Sequence, residues 1–146
     1  MPLLVVTGAS RGIGRAIAER GLERGLPVCA IARDREALAS LGAPDRVEVG
    51  VADVRDADAV RAAVDAAVAR FGPPTLVVAA AGLLGPIDRP WRLDPAGLDE
   101  ALAVTITGTA NLAAATLPAL RGTFVAVSAS SATRVFPGWA AYGAAK

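Results

Sequence analysis

Leu3-Leu4-Val5-Val6-Thr7-Gly8-Ala9-Ser10-Arg11-Gly12-Ile13-Gly14 is an apolar run followed by three glycines spaced four and two apart. The run reads as a buried strand, and the periodic segment after Gly14 reads as an amphipathic helix. A glycine at Gly8 lets the backbone turn sharply, one at Gly12 removes a side chain where an anion must approach, and one at Gly14 lets helix and strand pack closely. The free N–H groups and the positive dipole end of the following helix then face that anion. Glycine-rich turns serve many loops. The strand before these glycines and the helix after them are the context that a diphosphate cradle requires.

Working outward, strand and helix patterns alternate. Ile13 to about Arg24 reads as a helix with Ile13, Ala16, Ile17 and Gly21 inward, closed by Gly25. Strands are expected over 27–32, 47–51, 75–79 and 123–127, with a short helix around 34–41. Val60, Val64, Ala67, Val68 and Phe71 form one stripe of a helix over 56–71, stopped by Gly72-Pro73-Pro74. Asp94-Pro95 starts a long helix carrying Leu98, Leu102, Ile106, Leu112 and Leu120, which Pro118 ends or kinks. Apolar strands separated by helices predict an α/β fold with a parallel sheet buried on both faces. The expected architecture is a Rossmann-like doubly wound sheet of order 3-2-1-4-5, with a ligand crevice at the carboxyl ends of the strands.

The 146 residues make one domain, residues 1–146. Fifteen basic and fourteen acidic side chains leave a net charge of +1, which argues against a nucleic-acid partner. With no histidine and a single cysteine, Cys29, in an expected buried strand, neither a metal cluster nor a disulfide framework is expected. The first apolar run ends at Thr7, too short for a signal peptide or a membrane span. A soluble, cytoplasmic protein is expected.

A dinucleotide site discriminates at the end of the second strand, where a carboxylate would accept from the adenosine ribose. Here the strand ends Ala30-Ile31-Ala32-Arg33, and the planar donors of Arg33, with Arg11 in the glycine loop, suit a 2′-phosphate. NADP is therefore expected rather than NAD, although two solvated surface arginines would read the same way. Asp53, after the third strand, suits the adenine amine, but a helix-capping aspartate would look identical. Tyr142 and Lys146, four apart, share one helix face. An ammonium beside a phenol favours the phenolate and makes the tyrosine a usable acid-base group.

Thr7-Gly8-(x)3-Gly12-x-Gly14, Asp53, Ala81-Gly82, Leu117-Pro118 and Tyr142-(x)3-Lys146, in this order, resemble the short-chain dehydrogenase/reductase family along the whole chain. The resemblance implies nicotinamide-cofactor contacts at Thr7, Gly8, Ser10, Arg11, Gly12, Ile13, Gly14, Arg33, Asp53, Val54, Ala80, Ala81 and Gly82. It implies Tyr142 as the catalytic acid-base and Lys146 as the residue that holds the ribose and tunes the tyrosine. It also implies a small carbonyl or alcohol substrate and a homo-oligomer for the full-length form.

Three departures stand out. Ala79-Ala80 replaces the family's asparagine pair, and Thr105 stands where an asparagine aids a proton relay, with Asn111 six residues too late. Ala129 occupies the position of the serine that polarises substrate, thirteen residues before Tyr142, with Ser128 and Ser130 on either side as candidate replacements. Family members are also longer. The expectation is an incomplete fold at the C-terminus, belonging to a longer frame or covered by another chain, with one sheet face exposed and Lys146 frayed. Two functions follow: hydride transfer in the full-length form, or an inactive nucleotide-binding or interaction module. For these 146 residues alone, inactivity is expected.

Overall fold

The computed structural model describes residues 2–146. Five parallel strands, β1 (Leu3–Thr7), β2 (Val28–Ala32), β3 (Val47–Val51), β4 (Pro74–Ala79) and β5 (Thr123–Ala126), lie in the order β3-β2-β1-β4-β5, as expected. The helices are α1 (Gly12–Glu23), α2 (Arg35–Ala39), α3 (Ala57–Phe71), α4 (Pro95–Leu102), α5 (Gly108–Thr116) and α6 (Ala140–Ala145). Thr7 pairs with Ile31 on one side and Ala79 on the other, so the loops leaving β1, β2 and β4 converge at the carboxyl ends of the strands.

Successive side chains of a strand point to opposite faces, and both faces of β1 are apolar because both are covered. Leu3 and Val5 join Ile31, Val60, Val64, Val77 and Leu112 beneath α3 and α5. Leu4 and Val6 join Ala18, Val28, Ala30, Leu38 and Val78 beneath α1 and α2.

Three expectations need correction. In α1 the buried residues are Gly14, Ala18, Gly21 and Leu22, while Ile13 is 62% exposed and Ala16 is exposed. Gly14 packs against the backbone of Gly8 and Gly21 against Leu4 and Val28, too closely for a side chain at either, and with this face inward Ile13 turns away from the core. In the long helix, a π turn at Ala103–Thr107 inserts an extra residue and changes the stripe. Ala101, Val104, Thr105, Gly108, Leu112 and Thr116 face inward, whereas Ile106 is 52% exposed. Finally, burial on both faces holds throughout β1 and β2 but fails at the edge strand β5, where Thr123, Val125 and Ala126 are exposed. Among the described residues, no helix is long and apolar enough to cross a membrane.

Candidate functional site

The loop from β1 to α1 takes its shape from backbone contacts that side chains would block. Gly8 has φ +69°, and a Cβ there would lie 2.9 Å from Ala81 N. A Cβ on Gly14 would run into Gly8 O and lie 2.7 Å from Gly8 C. Beneath the loop, the buried Thr7 Oγ1 accepts from the N–H groups of Ala80 (3.2 Å) and Ala81 (3.3 Å), joining the ends of β1 and β4. Gly12 differs: its φ is +58° and nothing lies within 4 Å of its Cβ position. Arg11 stands at the N-cap of α1 without making a side-chain cap, so the helix's first N–H groups remain open to a ligand.

Above this loop lies a cavity of about 840 Å³. It is bordered by Gly8, Ser10, Arg11, Gly12, Ile13, Gly14, Arg33, Asp53, Val54, Ala80 and Ala81, and by Ser128, Tyr142 and Lys146, with Gly82 against Lys146, whose Nζ lies 3.1 Å from the Gly82 Cβ position. Of the residues expected at the site, Thr7 lies beneath the floor and Ser130 lies outside the lining. Leu83, Leu84, Val104 and Trp139 also border it, and the sequence reading missed them. Trp139 was findable, because it precedes Tyr142 by one helical turn. Val104 reaches the cavity through the π turn, which left no signal.

Two carboxylates stand near the end that receives β2 and β3. Asp34 caps α2, its Oδ1 accepting from Ala37 N–H at 3.0 Å. Asp53 does not cap a helix: Asp56 caps α3, accepting from the N–H groups of Asp58 and Ala59. Asp53 Oδ1 accepts from Arg55 N (2.9 Å) and Nε (3.0 Å), and Oδ2 accepts from Nη2 (2.6 Å). The side-chain hydrogen bonds from Arg55 are the main reason its pKa falls to about 2. Asn111, set aside in the sequence, supports this loop, its Nδ2 donating to Val54 O (2.9 Å) and Arg55 O (3.1 Å). Gly108 lets the helix approach, since a Cβ there would sit 2.9 Å from Val54 Cβ.

At the far end, Tyr142 on α6 and Lys146 at its C-cap stand one turn apart, with Lys146 N–H donating to Tyr142 O at 3.0 Å. Lys146 is not frayed: its Nζ donates to Val127 O at 2.8 Å, 5.9 Å from the Tyr142 ring centroid. Burial pulls the Lys146 pKa below its usual value. Ser128 Oγ donates to Lys146 O at 3.1 Å, the Ala129 side chain offers no donor, and Ser130 is exposed at the start of a 3-10 turn, Ser130–Ala132. Thr105 Oγ1 is buried without a partner among the described residues. Among those residues no group of three His, Cys, Asp or Glu could hold a metal ion.

The family model for short chain dehydrogenases matches residues 2–146. The D-threitol dehydrogenase of Mycolicibacterium smegmatis is 36% identical over 153 residues, covering 97% of this chain and 58% of that protein. The KRED1-Pglu enzyme superposes with a TM-score of 0.94 at 34% identity, covering 99% of this chain and 63% of its own. Carveol dehydrogenase from Mycobacterium avium, solved in complex with NAD, gives 0.93 at 25% identity, with 99% and 60% covered. The chain thus spans about three-fifths of the length of the proteins it matches. It belongs to the short-chain dehydrogenase/reductase family of nicotinamide-dependent oxidoreductases.

Proposed function

We propose that the chain binds NADP(H) and that, in its full-length form, the protein is an oxidoreductase acting on a carbonyl compound or secondary alcohol. One observation carries this reading: a single cavity joins the glycine loop at one end to Tyr142 and Lys146 at the other. The residues fit the cofactor. Open space over Gly12 admits a diphosphate to the N-terminus of α1, and any larger residue would stand in its way. Arg11 and Arg33 both border the cavity, and Asp34, the carboxylate next to the end of β2, has its Oδ1 turned to the Ala37 N–H. Two guanidinium groups bordering one cavity favour a 2′-phosphate over a bare ribose. The ionised Asp53 faces the same end and can accept from the adenine amine.

When bound, the nicotinamide supplies or accepts hydride. Tyr142 gives a proton to the substrate oxygen in reduction and takes it back in oxidation. Lys146 holds one N–H on Val127 O, and its other two remain for the ribose and for favouring the phenolate of Tyr142. Ser128 borders the cavity and is the better placed of the two serines to polarise substrate, once its hydroxyl turns from Lys146 O. The same reading takes the protein to be a cytoplasmic homo-oligomer. Exposed Ile106 and Leu117, on the outer side of the π turn and just past α5, support a contact between copies.

A second reading, an inactive nucleotide-binding module, is favoured by Ala129. Without a serine there, the substrate oxygen loses a donor, a change that costs on the order of a hundredfold in rate. Ketones and alcohols assayed with NADPH and NADP⁺ separate the two. Turnover abolished by Tyr142→Phe, with NADPH still bound, supports the oxidoreductase. NADPH binding with no turnover in any length of the protein supports the module, and absence of binding rejects both.

A further inference from the structure

We infer that the wall formed by Trp139, Leu83 and Leu84 beside Tyr142 selects an uncharged carbonyl compound bearing an alicyclic or aromatic ring next to the carbonyl. This deepens the oxidoreductase reading and rests on it.

The wall is preformed. The Trp139 ring meets the Tyr142 ring edge-on, with centroids 5.6 Å apart and planes at 83°, and meets the Phe136 ring at 5.6 Å and 37°. Aromatic neighbours on two sides restrict its rotation. The backbone bridges Asp88 to Trp139, and a Cβ on Gly138 would lie 3.0 Å from Ile87 Cγ2, so the loop after β4 and the segment before α6 are clamped together. Gly85 seats the same loop on α4 and α6, with its Cβ position 2.8 Å from Ala101 Cβ and 3.5 Å from Ala141 Cβ. An apolar surface held at this spacing from the Tyr142 side chain suits a rigid ring whose carbonyl points at the hydroxyl.

Charge narrows the class further. The charged side chains bordering the cavity are Arg11, Arg33, Asp34, Asp53 and Lys146. The first four stand on the loops after β1, β2 and β3. Lys146 alone reaches the Tyr142 end, where one N–H is held on Val127 O and the other two serve the cofactor ribose and Tyr142 in the proposed reading. A substrate carboxylate or phosphate therefore finds no free counterion at the wall. Beside Tyr142 the lining offers a polyol one further hydroxyl, that of Ser128, so its remaining hydroxyls would go unpaired against the wall.

The test uses the 146-residue chain saturated with NADP⁺, so that binding is read without turnover. In a Trp91→Phe background, Trp139 is the sole tryptophan and its emission reports on the wall. Cyclohexyl methyl ketone should shift that emission saturably and bind at least about tenfold tighter than pyruvate or dihydroxyacetone. By calorimetry, Trp139→Ala should weaken the ketone about tenfold, Trp139→Phe should retain most of the affinity, and NADPH affinity should be unchanged in both. Equal or tighter binding of pyruvate or dihydroxyacetone, or no effect of Trp139→Ala, overturns the inference. So does NADPH binding without ketone binding, which leaves the oxidoreductase reading standing. Failure to bind NADPH overturns both.

Discussion

Gly12 and Gly25 form a matched pair that separates backbone strain from cofactor binding. Their φ angles are +58° and +77°, and neither has an atom within 4 Å of its Cβ position. Alanine at either position therefore suffers the strain of the left-handed region without a clash. That strain is about 1–2 kcal/mol, partly offset by about 0.4–1 kcal/mol from stiffening the unfolded chain. The net loss of about 1 kcal/mol lowers the melting temperature of a domain this size by about 3 °C, and by the same amount in both variants. Binding should split them. The Gly12 methyl enters the space where the diphosphate must meet the N–H groups of α1, and losing one charge-assisted hydrogen bond of about 1.5–3 kcal/mol weakens NADPH about ten- to a hundredfold. Gly25 lies past the opposite end of α1, about 18 Å away by helical rise, and Gly25→Ala should bind NADPH like the wild type. Thermal melts and NADPH fluorescence titrations on both variants are sufficient. If Gly12→Ala binds normally, or Gly25→Ala loses as much, the cradle has been misread.

Two further outcomes follow from the support of the Asp53 loop. Asn111→Ala removes two donors from the carbonyls of Val54 and Arg55, and should cost about 1–2 kcal/mol in chemical denaturation; an unchanged midpoint would mean water replaces them freely. Asp53 has its pKa lowered from 3.8 to about 2 in the folded chain. Its ionic contribution is therefore fully present above pH 3.8 and lost as pH falls through about 2. The melting temperature of wild type minus that of Asp53→Asn should be positive near neutrality and vanish at the acid end. A difference independent of pH would put the effect in packing rather than charge.

Much of this fold was legible because each strand is a compact apolar run and each turn carries glycine, proline or an aspartate cap. The order of the sheet follows from strands and helices that alternate through right-handed crossovers, and the cap at Asp94 from its place before Pro95. The inward faces of helices were less readable. Ile13 is the bulkiest apolar residue of its turn, yet small residues, Gly14 and Gly21, set the packing by allowing backbone to approach. The π turn at Ala103–Thr107 has no compositional mark, so the burial of Thr105 and the exposure of Ile106 were both out of reach. At the site, spacing identified Tyr142 and Lys146, but the partners of Asp53 and Lys146 depend on where Arg55 and Val127 O lie in space.

The most direct measurement is a pair of calorimetric titrations, NADPH and NADH, on the wild type and on Arg33→Ala. If the glycine loop holds the diphosphate while Arg33 and Arg11 read the 2′-phosphate, the wild type binds one NADPH per chain, at least about tenfold tighter than NADH. Arg33→Ala should then lose most of that preference through weaker NADPH binding, with NADH affinity unchanged. No saturable binding of either nucleotide, or a preference for NADH that Arg33→Ala does not alter, contradicts the account.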